Sequence, residues 1–283
     1  AIEAGADDFV SKPFDQSELL ARVASLARIK RYHDTITQQA AELAQWNTKL
    51  ETRVLTQLGE LQRMKRLRRF LSPQVADLVI NSGDDSILGS HRREIVVVFC
   101  DLRGFTAFAE SSEPEEVMGV LGEYHAALGE LIFRYEGTLE RFTGDGLMVF
   151  FNDPIPLDKP AQRAVEMALA MRDRVRTLAE GWSRLGHDLG FGVGIAQGFA
   201  TLGRIGYEGR FDYAAIGSVT NLAARLCAEA GAGQVLVSQR VFSAVDDVAV
   251  GEPVGTLELR GFSRPISAVG VSRMINSTLE VPS

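Results

Sequence analysis

Two cysteines and four histidines in 283 residues leave little material for a disulfide framework or a zinc cage. Cys100 ends an apolar run and Cys227 lies within a helical pattern, so both read as reduced, buried thiols. His33, His91, His125 and His187 are scattered, without the close spacing of a zinc site. Long apolar runs are also missing. None approaches the roughly 18 residues that span a bilayer, and the first residues lack the positive region and apolar core of a signal peptide. The expectation is a cytoplasmic protein with no membrane span. Basic excess is absent too: 30 Lys and Arg face 37 Asp and Glu, for a formal net charge of −7. Affinity for phosphate backbones comes from clustered Lys and Arg, so no nucleic-acid or acidic-membrane partner is expected. What is present is 46% apolar and 24% charged residues, enough for one full domain and a smaller appendage.

The chain divides by pattern into several stretches. Residues 1–25 contain GADDFVSKPFDQSELLARV, a short apolar stretch, a Lys-Pro turn and a helix opened by Asp15. This resembles the last strand and helix of a response-regulator receiver domain. The resemblance implies that Lys12 matches the lysine that contacts a phosphorylated aspartate, and that the rest of such a domain lies upstream. Residues 26–71 carry no proline and one glycine, with apolar residues at Ile29, Tyr32, Ile36, Leu43, Trp46 and Leu50. Those steps of three, four and seven predict a parallel coiled coil with Gln39 as a polar insertion. Successive fours from Trp46 to Leu50 to Val54, continuing to Leu61 and Met64, form a stutter that locally unwinds a supercoil. The basic run Arg63, Lys65, Arg66, Arg68 and Arg69 reads as a solvated helix face. Ser72 and Pro73 stop that helix and start a short connecting one, and residues 83–93 read as a polar joint. Residues 276–283 are a tail.

From residue 94 to 275, apolar strands alternate with amphipathic helices: strand 94–101, helix 114–135, hairpin 137–152, helix 160–184, strands 190–206. That βαββαβ order predicts an α+β, ferredoxin-like sheet with helices on one face, extended by strands near 210–215, 234–238 and 254–272. Two aspartates stand out within it, Asp101 in IVVVFCDLRGFT and Asp145 in LERFTGDGLMVFF. A carboxylate in such apolar surroundings is costly unless paired, hydrogen-bonded or metal-bound. Downstream, FDYAAIGSVTNLAARL places Asn221 and Arg225 four residues apart, on one face of a helix.

These three motifs in this order, with LRGFSRP near the end, resemble the class III nucleotidyl cyclases over about residues 90–275. The resemblance implies formation of a cyclic nucleotide from a nucleoside triphosphate, with the ribose 3′ oxygen attacking the α-phosphorus while pyrophosphate leaves. It implies two divalent ions, Mg²⁺ or Mn²⁺, held by Asp101, Asp145 and the main-chain carbonyl of Leu102. Backbone amides from Leu102 through Gly104, Phe105 and Thr106 would cradle the triphosphate. Asn221 would orient the ribose and Arg225 would meet transition-state charge. Arg260 would face the terminal phosphates. In this family the aspartates and the Asn/Arg pair come from different subunits, so the resemblance implies a homodimer with composite sites.

Base recognition departs from the family pattern. Adenylate cyclases usually carry Lys four residues before the second metal aspartate and Asp or Thr seven before the asparagine, and here those positions are Arg141 and Ala214. Arg141 can donate to adenine N1 or to guanine O6, whereas Ala214 accepts nothing. Glu140 is adjacent, but strand alternation points it to the opposite face. ATP is the favoured substrate and GTP the alternative. A degenerate nucleotide-binding module is the alternative of another class, opposed by retention of Asp101, Asp145, Asn221 and Arg225. A diguanylate cyclase lacks support because no GGDEF signature occurs.

Overall fold

A computed structural model describes residues 13, 15–70, 88–207 and 210–275. The receiver-like residues through Lys12, the connecting helix after Ser72, residues 83–87 of the joint and the tail lie outside the described residues. The chain divides into two units, Ala1–Arg63 and Met64–Ser283.

Helix α1, Gln16–Phe70, is one uninterrupted helix of 55 residues, with no break where the receiver-like stretch meets the heptad stretch. Asp15 opens it: its side chain accepts from the Ser17 amide at 3.2 Å, and its carbonyl accepts from Leu19 at 3.1 Å. Glu18 and Arg22 support the first turns as an i, i+4 pair at 3.1 Å. Ile29, Tyr32, Ile36, Leu43, Trp46, Leu50 and Val54 are all exposed along it. The side chains of the basic run from Arg63 to Arg69, and of Leu61 and Met64, lie outside the described residues.

The second unit is built on strand β1, His91–Arg103, whose continuous apolar run is buried on both faces. Val96, Val98, Cys100 and Leu102 enter one core with helices α3 (Pro114–Arg134) and α4 (Pro160–Arg184). Ile95 and Val97 enter another with Val219 and Ala223 of helix α5, Ser218–Glu229. Helices therefore cover both faces of the sheet, which corrects the expectation of one covered face. The reason lies in β4, Gly190–Tyr207, whose glycines let α5 settle onto the second face.

The sheet order is β2-β3-β1-β4-β6-β8-β7, with β5 paired to β4. Here β2 is Thr138–Thr143, β3 Gly146–Phe151, β5 Arg210–Ile216, β6 Gln234–Ser238, β7 Ala249–Leu257 and β8 Ile266–Met274. The short helices are α2, Phe105–Ser111, and α6, Gln239–Ser243. Its first four strands have the ferredoxin-like order, β1 pairing antiparallel to both β3 and β4. Strand β7 starts at Ala249, earlier than the turn-like Gly251-Glu252-Pro253 suggests. It is the outermost strand in that order, where a proline is tolerated, and its register shifts at Val250/Gly251 and Pro253/Gly255.

Candidate active site

Antiparallel pairing of β1 with β3 sets Cys100 opposite Leu147, so the Thr143–Gly146 turn stands beside the end of β1. That register brings Asp145 to Asp101. Burial, then a side-chain hydrogen bond and the charge of Asp101, push Asp145 up to about 6. The turn is tight: a Cβ at Gly146 would lie 2.7 Å from Thr143 Oγ1 and 3.3 Å from Asp101 Oδ1. It is also clamped from α3. His125 donates from Nε2 to the Gly144 carbonyl at 3.1 Å, and burial pushes its ring below the usual histidine range, which favours the neutral form. Phe142 packs on that ring with centroids 4.4 Å apart.

Asp101 has a second neighbour. Arg103 Nη1 donates to Asp101 Oδ2 at 3.1 Å, Nε donates to the Ala230 carbonyl at 2.8 Å, and Nη2 donates to the Cys227 carbonyl. The guanidinium lies flat over Gly192, the residue opposite Asp101 on β4, where any Cβ would collide with it. Two residues on, a Cβ at Gly194 would strike the α5 backbone at Cys227 and Ala223. Burial raises the Cys227 thiol to about 11 and the wholly buried Cys100 thiol well up, so both are inert.

Leu102 is buried with its side chain in the α3/α4 core, leaving only its main chain beside the carboxylates. Gly104 follows with φ +83°, left-handed, and a Cβ there would sit 2.9 Å from the Asp188 carbonyl. It turns the chain from β1 into α2, where Phe105 is half-buried, Thr106 is exposed and no side chain caps the first turn. The strand-to-helix turn thus puts Gly104, Phe105 and Thr106 directly after Asp101.

Asn221 and Arg225 share the solvent-facing side of α5, opposite the face that Ala223 and Cys227 press on the sheet. Neither makes a hydrogen bond or ion pair among the described residues, and none joins them to Asp101 or Asp145 within the chain. Arg260 is exposed in the turn between β7 and β8, where Phe262 donates to the Leu259 carbonyl at 3.0 Å.

Arg141 and Glu140 require a correction. They form a two-pronged ion pair, Nε–Oε2 2.6 Å and Nη2–Oε1 2.7 Å, rather than pointing to opposite faces. Strand β2 shifts register between Leu139 and Arg141, and that bulge cancels the alternation. Glu140 is 2% exposed and Arg141 59%. Ala214 is buried on β5 and has no accepting side-chain atom.

Sequence reasoning missed Arg103, His125 and a hub at Asp153. That carboxylate is fully buried and accepts from Tyr213 Oη, from His91 Nε2 at 2.8 Å and from Arg93 at 3.4 Å. The signal for Arg103 was present in GFGVGIAQG, whose glycines recur at period two along one strand face. Nothing local marks His125 or Asp153, because both act through residues distant in sequence.

Comparison with known proteins follows the same lines. Residues 89–269 match the Adenylate and Guanylate cyclase catalytic domain. Adenylate cyclase 1 of Rhizobium meliloti (strain 1021) is 30% identical over 205 residues, covering 70% of this chain and 31% of that protein. The chain thus spans about a third of the length of this curated relative. The crystal structure of the adenylyl cyclase CyaB from P. aeruginosa superposes with a TM-score of 0.64 at 35% identity, over 66% of this chain and 97% of that one. The guanylyl cyclase Cya2 superposes with a TM-score of 0.64 at 31% identity, over 68% and 98%. With the β1 turn, the β2–β3 hairpin and α5 all inside the matched residues, the chain belongs to the adenylate and guanylate cyclase catalytic domain family.

Proposed function

We propose that this chain is an adenylate cyclase that converts ATP to 3′,5′-cyclic AMP and pyrophosphate, in sites shared between two copies. The observation that carries the reading is the Asp101–Asp145 pair, two carboxylates at adjacent strand ends with one held up to about 6 by burial and the other's charge. Such a pair fits hard divalent cations: Mg²⁺ keeps several waters and takes one or two carboxylates plus substrate phosphates, so no fuller protein cage is needed. Among the described residues no group of three or more His, Cys, Asp or Glu side chains gathers to hold a metal ion. Two bound ions would lower the pKa of the attacking 3′ hydroxyl and offset charge on the triphosphate. Asp101, Asp145 and the Leu102 carbonyl would hold them. The amides after Gly104 would receive phosphate oxygens.

Asn221 and Arg225 supply the remaining chemistry. Arg225 is exposed, fixed in charge and without a partner among the described residues, so it is available to a triphosphate held by another copy. Exposed Phe199, Ile205, Tyr207 and Ile216 on β4 and β5 offer an apolar surface for that copy, and the α1 stripe offers a parallel coiled coil. A receiver domain upstream would feed that stalk. A cytoplasmic location belongs to the same proposal; no helix among the described residues is long and apolar enough to cross a membrane.

For the base, Arg141 keeps one nitrogen, Nη1, free of Glu140 and able to donate to adenine N1. The same pair favours a second reading. Glu140 stands on the Arg141 side of β2, so an acceptor for guanine N1–H is closer than alternation implied. The deciding experiment is product formation with Mn²⁺ and ATP or GTP, resolved by chromatography. Cyclic AMP in clear excess supports the reading, cyclic GMP transfers it to guanine, and nucleotide binding without product from either makes the chain a non-catalytic module.

A further inference from the structure

Arg103 hydrogen-bonds both to Asp101 of the carboxylate pair and to the end of the helix bearing Asn221 and Arg225. It stands two residues after Asp101 and so shares its sheet face, which is the face α5 covers. On one side it holds Asp101 at 3.1 Å. On the other its Nε takes the carbonyl of Ala230, the residue that caps α5, and its Nη2 shares the Cys227 carbonyl with the Ala230 amide. A cation at a helix C-terminus is also favoured by the aligned peptide dipoles. The side chain is 24% exposed, and its guanidinium is seated over Gly192.

We propose that Arg103 is a positioning residue that couples divalent-ion binding at Asp101 to the placement of α5, and through it of Asn221 and Arg225. The proposal rests on the cyclase reading. While no divalent ion is near, the guanidinium supplies the positive charge that the carboxylate pair needs. When a divalent ion takes Asp101, that demand ends, and the fork is left to the two helix carbonyls. A change in Arg103 therefore reaches the last turn of α5. Coupling of this kind is reciprocal, so a ligand gripping Asn221 and Arg225 alters ion affinity at Asp101 of the same chain. In a dimer with composite sites those two halves serve different sites. The strap then runs from one site to the other.

The test uses the whole chain, Mn²⁺ alone as the probe, and two variants that separate charge from fork. Hydrogen exchange of the unaltered chain with and without Mn²⁺ should change both at the Asp145 hairpin and at residues 226–232. Arg103→Met removes the competing cation and should bind Mn²⁺ about fivefold more tightly by calorimetry, since a unit charge a few ångströms away opposes the ion. Its turnover should nevertheless fall. Arg103→Lys keeps the charge, so Mn²⁺ affinity should stay near that of the unaltered chain, but it lacks the fork and the exchange response at 226–232 should vanish. An exchange response confined to the hairpin in the unaltered chain overturns the proposal, as do Mn²⁺ affinities and exchange responses that are the same in all three proteins. Mn²⁺ binding that Asp145→Asn leaves intact overturns the cyclase reading along with it.

Discussion

Ionising Asp145 beside Asp101 works against the fold, because burial disfavours the charged carboxyl and the Asp101 carboxylate repels it. Its pKa is raised from the ordinary carboxylate value, so the associated stability is present below about pH 4 and is lost as pH rises through about 6. Asp145→Asn should therefore melt higher than the unaltered chain in EDTA at pH 7.5, by about 2 °C after allowing for solvent screening. The same variant should form no cyclic nucleotide; an equal or lower melting point would show that the repulsion is already relieved. His125 acts on the same turn from outside it. His125→Ala frees the Gly144 carbonyl and should weaken Mn²⁺ binding about tenfold, the usual scale for a residue that orients a ligand. His125→Gln, which can still donate to that carbonyl, should recover part of the loss. Titration of Mn²⁺ binding checks both.

At the scale of elements, the start of β1 depends on one buried carboxylate. His91 donates from Nε2 to Asp153 and from Nδ1 to the Gly89 carbonyl, an arrangement that requires the protonated ring. The Asp153 hydrogen bond first, and then the Gly89 carbonyl, push His91 above the usual histidine range, against burial and the Arg93 charge, which oppose them. A raised histidine contributes stability that is fully present below its unfolded value of about 6.5 and is lost as pH rises through the folded one. The thermal midpoint of the unaltered chain should therefore fall, relative to His91→Gln, between about pH 6 and pH 9. Parallel melting curves for the two proteins would remove His91 from the account. Helix α4 at 160–184 and strand β6 at 234–238 were legible in the sequence because each is bounded by strong turn chemistry and carries an unbroken pattern. The bulge in β2 was not, because an extra residue in one strand shows only when its partner is known. Nor was the helix that covers the second face, since a continuous apolar run such as that of β1 signals burial on both sides without showing what lies there. Asp101 and Asp145 were legible because an acid in an apolar run has few reasons to be there. Arg103 was only half legible: the period-two glycines of β4 mark a close approach, but not which side chain fills it or that it has three acceptors.

For the whole molecule, the separation of the carboxylates from Asn221 and Arg225 sets the decisive prediction. Asp101→Ala and Arg225→Ala should each be inactive as single species. Mixed and allowed to exchange, random pairing gives one intact site in each heterodimer, and activity should return to about a quarter of the unaltered level. The measurement is cyclic-nucleotide formation after heterodimers have been verified by mass; inactivity of verified heterodimers would end the shared-site reading.

The glycines of β4 bear on how such a chain can be rebuilt. Position 192 has room for a hydrogen only because position 103 is filled by a planar cation, and position 194 only because a helix rests there. A chimera that imports a bulkier β4 from a relative must import its β1 and α5 as well, or the sheet will not close over its own helix. Strand, helix and arginine are thus a single exchangeable cassette, and a graft that cuts between them should fail even when every catalytic side chain is preserved.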